Sequence, residues 1–435
     1  MTNILYFPTR YFPAISGAEF YLQRMAEILK SKYYYKVDIY TSNAVDFRAL
    51  RDPSGKNLND DNKYYTNVNG LNITRYQINY NKSITEKLTE IKNLHEFKTL
   101  NISDNCLIKI IQNGPFLEEV IDKIKNHSIP DYDLIHTTFF PYFNLLIGLL
   151  IGKQIKKPTI CTPFFHFSNP RYLDNYLIEI LKSYDLIIAC TNIEKKNLIE
   201  RCGLNKEKIK IIPMGVDFGK FSEDHISSYN YFNFKKTFLK KEKKFYMVLF
   251  CGYKNYEKGA ISILKAIPYI IKKIKKVYFV FIGPSTKAFN RESSKIKKID
   301  NVRILNFTPE NLTGYYDKKK ISAFKEADIY LMPSRSDAFG ISFLEAWSSG
   351  KPVIGANIGA TPDVIRNNED GLLAEFDNPI DIGDKVIKLL KNKRLRKQMG
   401  NQGKEKVMRN YTWNIIAKQT HETYNELVKN YVDKK

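Results

Sequence analysis

Residues 327–356 constrain the fold more than any other stretch of the chain. Residues 327–332 form an apolar run that Pro333 ends, and a second apolar run follows Gly340 and reaches Gly350. A glycine just past a helix, with a proline behind it, stops the helix. Residues 353–356 are apolar again. A strand, a polar loop, a helix and a further strand in this order predict an α/β fold with a parallel sheet.

Two carboxylates in this stretch predict a binding site for an anion. Asp337 lies in the loop just before the helix, and Glu345 lies inside the helix among apolar neighbours. A buried glutamate is costly unless something pairs with it, and the free N–H groups at a helix start favour an anion. We expect an anion at the helix tip, with Asp337 beside it and Glu345 behind it. A surface acid and a helix glutamate in an ordinary salt bridge would leave the same pattern.

The charge of the chain favours anionic partners. The 435 residues are enough for two large domains. Lys and Arg number 69 against 46 Asp and Glu, a net charge of +23. Such a balance suits nucleotides, lipid phosphates, a membrane face or nucleic acid. The basic residues are spread along the chain, however, and a general lysine bias explains them equally well.

Cysteine usage and the N-terminus favour a cytoplasmic protein. The five cysteines show no CxxC or Cys/His spacing, which fits reduced thiols. Residues 1–8 read as a first strand, with no basic region ahead of an apolar one. The longest apolar run, residues 139–152, is too short to span a bilayer.

The first half of the chain places small and histidine side chains where α/β sheets build sites. A loop containing Gly17 joins a strand at residues 3–7 to a helix at about 19–30, and such a loop admits a ligand close to the backbone. A full GxGxxG is absent. We expect His136 and His166 to end neighbouring strands beside a site, although packed or solvated histidines would look the same. Residues 64–80 predict a hairpin and residues 107–125 a helix.

The second half of the chain follows a predicted domain boundary and again has a loop with candidate binding residues between a strand and a helix. A polar, lysine-rich segment at residues 222–244 precedes a new apolar strand at 245–250, and this shift in composition predicts the boundary near 215–244. The following loop carries Lys254 and Lys258 ahead of a helix, which suits a diphosphate. Two solvated lysines are the alternative.

In order along the chain, these motifs resemble those of retaining, nucleotide-sugar-dependent glycosyltransferases of family 4, the glycosyl transferases group 1. The family's E-x7-E element is similar to residues 337–345, and its E-A-x-x-x-G-x-P-V sequence matches residues 345–353. Its E-K-G motif, whose lysine binds the donor diphosphate, resembles residues 257–259. Asp337 stands where the family usually has Glu. Tyr253 stands where it usually has Arg, with Lys254 one residue late.

Several weaker matches extend the resemblance over nearly the whole chain. They are similar to the family's G-G-x-E, D-x-x-H-x-H, V-H-G, I-P-N-G-V-D and F-S-W segments, each with at least one substitution, and lie at residues 16–19, 133–138, 163–166, 212–217 and 411–413.

The resemblance implies the GT-B fold. In this fold two Rossmann-like domains face each other across a cleft, and a C-terminal helix crosses back to the first domain. The N-terminal, acceptor-side domain would be residues 1–215 with about 414–435. The C-terminal, nucleotide-sugar-binding domain would be residues 216–413.

The resemblance also implies an activity and its residues. It implies a hexosyltransferase of glycan biosynthesis that moves a sugar from a UDP- or GDP-linked donor to an acceptor hydroxyl, with retention of anomeric configuration and without a metal or other cofactor. Glu345 would bind the ribose, and His166 and Asp337 would be the catalytic residues. The other donor-binding residues would be Gly17, Lys254, Lys258, Phe339, Gly340 and Ile341, with His136 and Tyr253 as further candidates.

The expected partners are a nucleotide sugar and an acceptor glycan, lipid-linked glycan or small molecule. The charge adds a peripheral contact with an anionic membrane on the cytoplasmic face. A sugar-nucleotide epimerase on the same fold is the alternative enzyme. A basic nucleic-acid-binding protein is the alternative without catalysis, but no nucleic-acid motif accompanies the charge, so no nucleic-acid partner is expected.

Overall fold

The computed structural model describes residues 2–14, 16–58, 66–222 and 232–433. The chain divides into two compact units. Unit 1 comprises Met1–Pro213 and Trp413–Lys435, and unit 2 comprises Met214–Thr412. Part of the segment expected to separate two domains, residues 223–231, and the first residues of the expected hairpin, 64 and 65, lie outside the described residues.

The described part of unit 1 holds an eight-stranded sheet. Its strands are β1 Asn3–Phe7, β2 Lys36–Ser42, β3 Asn67–Val68, β4 Leu71–Tyr76, β5 Leu134–Thr138, β6 Thr159–Thr162, β7 Leu186–Ala189 and β8 Ile209–Ile211. Their order is β3-β4-β2-β1-β5-β6-β7-β8. The pairs are parallel except β3 with β4, which form a short antiparallel hairpin. The order reverses between β1 and β5, so their carboxyl ends flank the crevice where such sheets take ligands.

Helices cover the unit 1 sheet. They are α1 Gly17–Tyr33, α2 Ile84–Lys92, α3 His95–Lys98, α4 Asp104–Asn113, α5 Glu118–Lys125, α6 Asn144–Ile155, α7 Asn175–Lys182 and α8 Asn192–Glu200. The single helix expected at residues 107–125 is wrong, because Gly114 at φ +62° and Pro115 separate α4 from α5. A Cβ at Gly114 would lie 1.9 Å from the Leu50 carbonyl oxygen, so no other residue fits this turn.

Unit 2 holds a six-stranded parallel sheet in its described part. Its strands are β9 Tyr246–Cys251, β10 Val277–Ile282, β11 Ile304–Phe307, β12 Ile329–Met332, β13 Val353–Ala356 and β14 Gly371–Ala374. Their order is β11-β10-β9-β12-β13-β14. Strands that are buried on both faces read as continuous apolar runs, as β9, β10 and β12 do. Here the order reverses between β9 and β12, which places the ligand crevice at their carboxyl ends.

Unit 2 also contains eight α-helices within the described residues. They are α9 Phe218–Phe221, α10 Ala260–Lys273, α11 Lys287–Ile296, α12 Lys318–Glu326, α13 Ile341–Ser348, α14 Thr361–Val364, α15 Pro379–Lys391 and α16 Lys393–Asn410. The run β12, loop, α13, β13 confirms the unit predicted at residues 327–356. Gly350 at φ +65° follows the helix end, as the sequence indicates.

The last helix, α17 Trp413–Val432, belongs to unit 1. Trp413 packs against Phe20 and Tyr21 of α1, with ring centroids 6.1 and 6.0 Å away. The Tyr424 hydroxyl lies 3.0 Å from that of Tyr6 on β1. The chain therefore returns to its first unit at the end. Over the described ranges, none of the helices is both long and apolar enough to cross a membrane.

Candidate functional site

The candidate site of unit 2 is built where β9 and β12 end side by side. Residues 252–259 follow β9 and residues 333–340 follow β12. The two loops touch closely at Gly259, where a Cβ would lie 2.2 Å from the Pro333 carbonyl oxygen. Gly259 also has φ +75°, a conformation that glycine adopts without strain. Glycine at this position therefore allows the two loops to form one surface.

An ion pair joins the same loops. Lys258 Nζ lies 2.7 Å from Asp337 Oδ2 and also donates to the Ser336 carbonyl oxygen at 3.4 Å. Both side chains are partly exposed, Lys258 at 23% and Asp337 at 14%. Lys258, which the sequence predicted to bind the phosphate, and Asp337, which the resemblance assigned to the sugar, thus lie together. Asp337 holds the ammonium in place, while the exposed fraction leaves it accessible to an anion.

The start of α13 faces this loop. Its first residue, Ile341, follows Gly340 at φ +93°, where a Cβ would lie 2.6 Å from the Phe343 ring. Phe339 is buried, and its ring lies 5.6 Å from that of Tyr411. The first N–H groups of a helix lack partners inside it and carry partial positive charge. The turn at Gly340 therefore presents a second positive feature beside Lys258.

Glu345 lies one turn further along α13 and is buried, with a partner that the sequence did not single out. Lys320 Nζ of α12 lies 2.7 Å from Glu345 Oε1, and the two side chains are 8% and 1% exposed. The ammonium also lies 3.7 Å from the centroid of the Tyr315 ring. The pairing expected for a buried glutamate is present. Lys320 is visible in the sequence only as the end of a lysine run.

The two residues after Gly252 lie in different environments. Tyr253 is 48% exposed, whereas Lys254 is fully buried. The Lys254 ammonium donates to the Phe307 carbonyl oxygen at 2.8 Å and to Asn306 at the end of β11. Burial lowers the pKa of Lys254 to about 8. Because its ammonium is engaged in the interior, the structure does not bring Lys254 to the Lys258–Asp337 pair.

A further pair supports the loops. Arg335 Nε donates to Glu257 Oε2 at 3.0 Å, and the Arg335 backbone N–H donates to the Glu257 carbonyl oxygen at 2.8 Å. The pair fixes the residue directly before Lys258. No sequence motif pointed to Arg335, since the partners lie on different loops.

In unit 1, Gly17 is the exposed first residue of α1, at the loop that follows β1. His166 lies in the loop after β6 and is partly exposed, with its ring 5.0 Å from that of Tyr172. These placements agree with a site at the carboxyl edge of the sheet.

The expectation that His136 ends its strand is wrong. It is the third residue of β5 and is completely buried. Its Nε2 lies 2.8 Å from Thr162 Oγ1, and its Nδ1 contacts the Tyr424 hydroxyl. Burial lowers the pKa of His136 to about 3, so the ring is neutral. His136 therefore belongs to the core beneath α17.

The sequence missed Glu194, which holds the His166 loop. Its Oε1 accepts from the Phe165 N–H at 2.7 Å and its Oε2 from the Cys190 N–H at 2.6 Å. The side chain is completely buried, and burial raises its pKa to about 7. Thr191, which caps α8 by accepting from the Glu194 N–H at 3.0 Å, gives the S/T-x-x-E pattern that could have drawn attention to it.

The described residues hold no group of three or more His, Cys, Asp or Glu side chains placed to bind a metal ion. Asp131 and Asp133 have structural partners, since Asp133 accepts from the Asn3 N–H at 2.8 Å and both carboxylates lie within 4 Å of Lys157 Nζ.

Two family models match the chain. The model described as "Glycosyl transferases group 1" matches residues 232–406. The model described as "Glycosyltransferase Family 4" matches residues 81–220. Together they cover more than two thirds of the chain.

Curated relatives agree with these models. An uncharacterized glycosyltransferase of Methanocaldococcus jannaschii is 28% identical over 68% of this chain and 76% of its own length. The D-inositol 3-phosphate glycosyltransferase of Corynebacterium jeikeium is 26% identical over 57% of this chain and 59% of its own length.

Solved structures share the fold. Anabaena HepE in complex with UDP and glucose superposes with a TM-score of 0.72 at 14% identity, covering 98% of this chain and 100% of that one. The sucrose-phosphate synthase of Thermosynechococcus elongatus gives 0.71 at 17% identity, covering 99% and 100%. With two parallel-sheet units, the E-x7-E-like loop and both family models in agreement, this chain belongs to the group 1 glycosyltransferases of the GT-B fold.

Proposed function

We propose that this glycosyltransferase moves a hexose from a nucleotide-sugar donor to an acceptor hydroxyl with retention of anomeric configuration. The observation that carries the proposal is the Lys258–Asp337 pair at the start of α13. It joins a cation, a helix N-terminus and a carboxylate at the switch point of the unit 2 sheet.

The leaving diphosphate is stabilised by positive features that exist before it binds. The Lys258 ammonium and the first N–H groups of α13 would neutralise the charge that develops as the glycosidic bond breaks. Because Asp337 and the Ser336 carbonyl oxygen already hold Lys258, little reorganisation is needed during the reaction.

In this proposal the nucleoside and the sugar bind on either side of the diphosphate. Glu345 accepts hydrogen bonds from the ribose hydroxyls, and Lys320 holds its carboxylate in place. Asp337 and the backbone of residues 339–341 hold the transferred sugar. Unit 1 contributes Gly17 beside the diphosphate and His166 at the sugar or the reacting hydroxyl.

A UDP- or GDP-linked donor suits these features, since each carries the ribose and diphosphate that the site would bind. HepE, whose fold this chain shares, has been solved with UDP and glucose. That likeness supports a nucleotide-sugar donor here but does not select the base.

A thermal-shift screen of UDP- and GDP-sugars tests the proposal, because a ligand that binds only the folded state raises its melting temperature. We expect one nucleotide class to stabilise the wild type, and Lys258→Met to lose that stabilisation. Incubation of the stabilising donor alone separates transfer from epimerisation. An epimer formed without acceptor would contradict the proposed transfer.

A further inference from the structure

The carboxyl ends of β1 and β5, where the strand order of unit 1 reverses, carry a cluster of rings and guanidinium groups. We call it the aromatic–arginine surface. It consists of Arg10, Phe47, Arg51, Phe139, Tyr142 and Arg171. The roles proposed above for unit 1 use only Gly17 and His166.

Three rings form the apolar part of this surface. The rings of Phe139 and Tyr142 are stacked with centroids 5.3 Å apart, and those of Phe47 and Tyr142 with centroids 6.3 Å apart. Phe47 is 41% exposed, and Phe139 is partly exposed, whereas Tyr142 is buried beneath them. Large exposed rings held in place by a buried ring offer a flat apolar face at little cost in conformational freedom.

Arg10 anchors the surface from below. Its guanidinium carbon lies 3.6 Å from the Phe47 ring centroid, and its side chain is only 4% exposed. Arg10 Nη2 lies 2.7 Å from Glu19 Oε1, and Nη1 donates to the Val45 carbonyl oxygen at 3.0 Å. Its buried Nε has no hydrogen-bond acceptor among the described residues. Glu19 and Val45 thus fix Arg10, which holds the exposed Phe47 ring from its buried side.

Arg51 and Arg171 supply exposed charge. Both lie near the turn at Gly114, because a Cβ added there would be 3.7 Å from the Arg51 Cα and Arg171 contacts the preceding residue, Asn113. The Gly114 carbonyl oxygen accepts from the N–H of Phe143, the residue after Tyr142, at 2.7 Å. Arg171 donates to Asn113 Oδ1 at 3.1 Å. In the described part of the chain, neither Arg51 nor Arg171 forms an ion pair with a carboxylate. Guanidinium groups that are not paired with a carboxylate are suited to bidentate contacts with phosphate oxygens.

The acids closest in the sequence do not cancel this charge. Glu19 is already paired with Arg10. Asp46 accepts from the backbone N–H groups of Ala49 and Lys56, at 2.8 and 3.1 Å. Asp52 is 2.9 Å from Arg48 Nε. Asp46 offsets at most one of the two exposed guanidinium groups of Arg51 and Arg171, so the aromatic–arginine surface keeps a net positive charge.

The surface continues to His166. Tyr172, whose ring lies 5.0 Å from that of His166, follows Arg171 in the sequence, and its ring lies 6.0 Å from that of Phe140, the residue after Phe139. A ligand on the rings would thus lie close to the side chain assigned to the reacting hydroxyl.

On the basis of the glycosyltransferase function proposed above, we propose that the aromatic–arginine surface binds the acceptor, and that the acceptor is a sugar or cyclitol that carries a phosphate. The apolar C–H face of its ring packs on Phe47 and Phe139, and its phosphate contacts Arg51 and Arg171. The same chemistry occurs in a soluble sugar phosphate and in a lipid whose headgroup is a phosphate-linked ring.

Calorimetric titration of the full chain tests this assignment. The soluble probes are glucose 1-phosphate, glucose 6-phosphate, myo-inositol 1-phosphate, glucose and inorganic phosphate. The lipid arm uses phosphatidylcholine vesicles with and without phosphatidylinositol. We expect binding of at least one phosphorylated ring, in soluble or vesicle form, and weaker or no binding of glucose and of phosphate alone. The arm that binds identifies the source of the phosphate.

Variants decide whether the binding occurs on this surface. The double variant Arg51→Gln/Arg171→Gln should weaken it by about tenfold or more, since charge-assisted hydrogen bonds to phosphate are lost. Phe47→Leu should weaken it several-fold. The double variant Arg48→Gln/Asp52→Asn, which removes both members of an exposed ion pair of the same loop and leaves the net charge unchanged, is the matched control and should bind like the wild type.

Three outcomes would overturn the inference: no phosphorylated ring binds in either arm, the double variant binds like the wild type, or inorganic phosphate binds as tightly as every phosphorylated ring. Nucleotide binding is measured in the same proteins and should be unchanged in all variants. Failure of the wild type to bind any nucleotide would count against the donor site in unit 2 and leave the result for unit 1 distinct.

Discussion

Lys258 and Asp337 form an ion pair of 2.7 Å between the loops that follow two neighbouring strands, β9 and β12. Lys258 and Asp337 are 79 positions apart in the sequence, and they meet because β9 and β12 pair in parallel. The sheet thus assembles from distant segments the charge arrangement on which the proposed donor site depends.

Removal of Glu345 should cost stability as well as donor binding. Glu345→Ala leaves the Lys320 ammonium buried without its partner, which typically costs about 3–5 kcal/mol in the free energy of unfolding. The double variant Lys320→Met/Glu345→Leu should recover most of that loss, since apolar residues of similar volume often replace a buried pair without penalty. Urea denaturation measures both variants.

Donor binding separates the two roles of Glu345. The double variant should remain folded yet fail to bind a nucleotide sugar, because no carboxylate is left to accept from the ribose hydroxyls. A stable double variant with wild-type affinity would show that Glu345 is only structural.

His136 and Glu194 should give unit 1 opposite pH dependences. Folded His136 takes up a proton at about pH 3, whereas its unperturbed value is 6.5, so its contribution to stability falls as pH drops through this range. Folded Glu194 releases its proton at about pH 7 against an unperturbed 4.5, so its contribution falls as pH rises from 4.5 through 7. Between about pH 4.5 and 6.5 the two effects oppose each other.

Single substitutions should expose each slope. In His136→Gln the free energy of unfolding should decline with rising pH between 4.5 and 7, because only the Glu194 effect remains there. In Glu194→Gln it should increase with pH from 3 to 6.5. Urea denaturation at a series of pH values measures both, and wild-type slopes in both variants would refute the assignments.

Gly340→Ala should impair donor binding through the turn before α13. The substitution places a Cβ 2.6 Å from the Phe343 ring at φ +93°, and such strain costs about 1–3 kcal/mol. Gly350→Ala is the matched control, since Gly350 at the other end of the helix also has positive φ but no atom within 4 Å of an added Cβ. Gly350→Ala should keep wild-type nucleotide affinity, and equal losses in both variants would argue against a role for the α13 tip.

Chelation of divalent metal should leave the transfer rate unchanged. Lys258 and the first N–H groups of α13 are proposed to meet the diphosphate charge, so the mechanism needs no metal for this purpose. The test compares sugar transfer before and after EDTA treatment and after addition of Mg²⁺ or Mn²⁺. Activity lost with EDTA and restored by a metal would contradict this part of the proposal.

The sequence predicted the elements better than the directions of their side chains. The apolar periodicity and the Pro333 and Gly350 stops determine β12 and α13, because these signals are local. Lys254 and Lys258 look equivalent in the sequence, yet one is buried against β11 and the other is exposed beside Asp337. That difference depends on where β11 ends, and the sequence around the two lysines carries no information about the end of that distant strand.

Partners of buried charges were also beyond the sequence. Glu345 required a partner, but only packing of α12 against the sheet identifies Lys320. His136 shows a different error, because a residue expected beside a site lies in the core. A histidine near a strand end looked functional, but β5 continues two residues past it and α17, from the far end of the chain, covers it.

The most direct test of the donor site is calorimetric titration of UDP and GDP into the wild type, Lys258→Met and Lys254→Met. The two variants remove one ammonium each, four positions apart on the same loop. We predict that one nucleotide binds the wild type, that Lys258→Met weakens its binding by about tenfold or more, and that Lys254→Met retains wild-type affinity. Equal affinity in the wild type and Lys258→Met, or no binding of either nucleotide to the wild type, would contradict the proposed donor site.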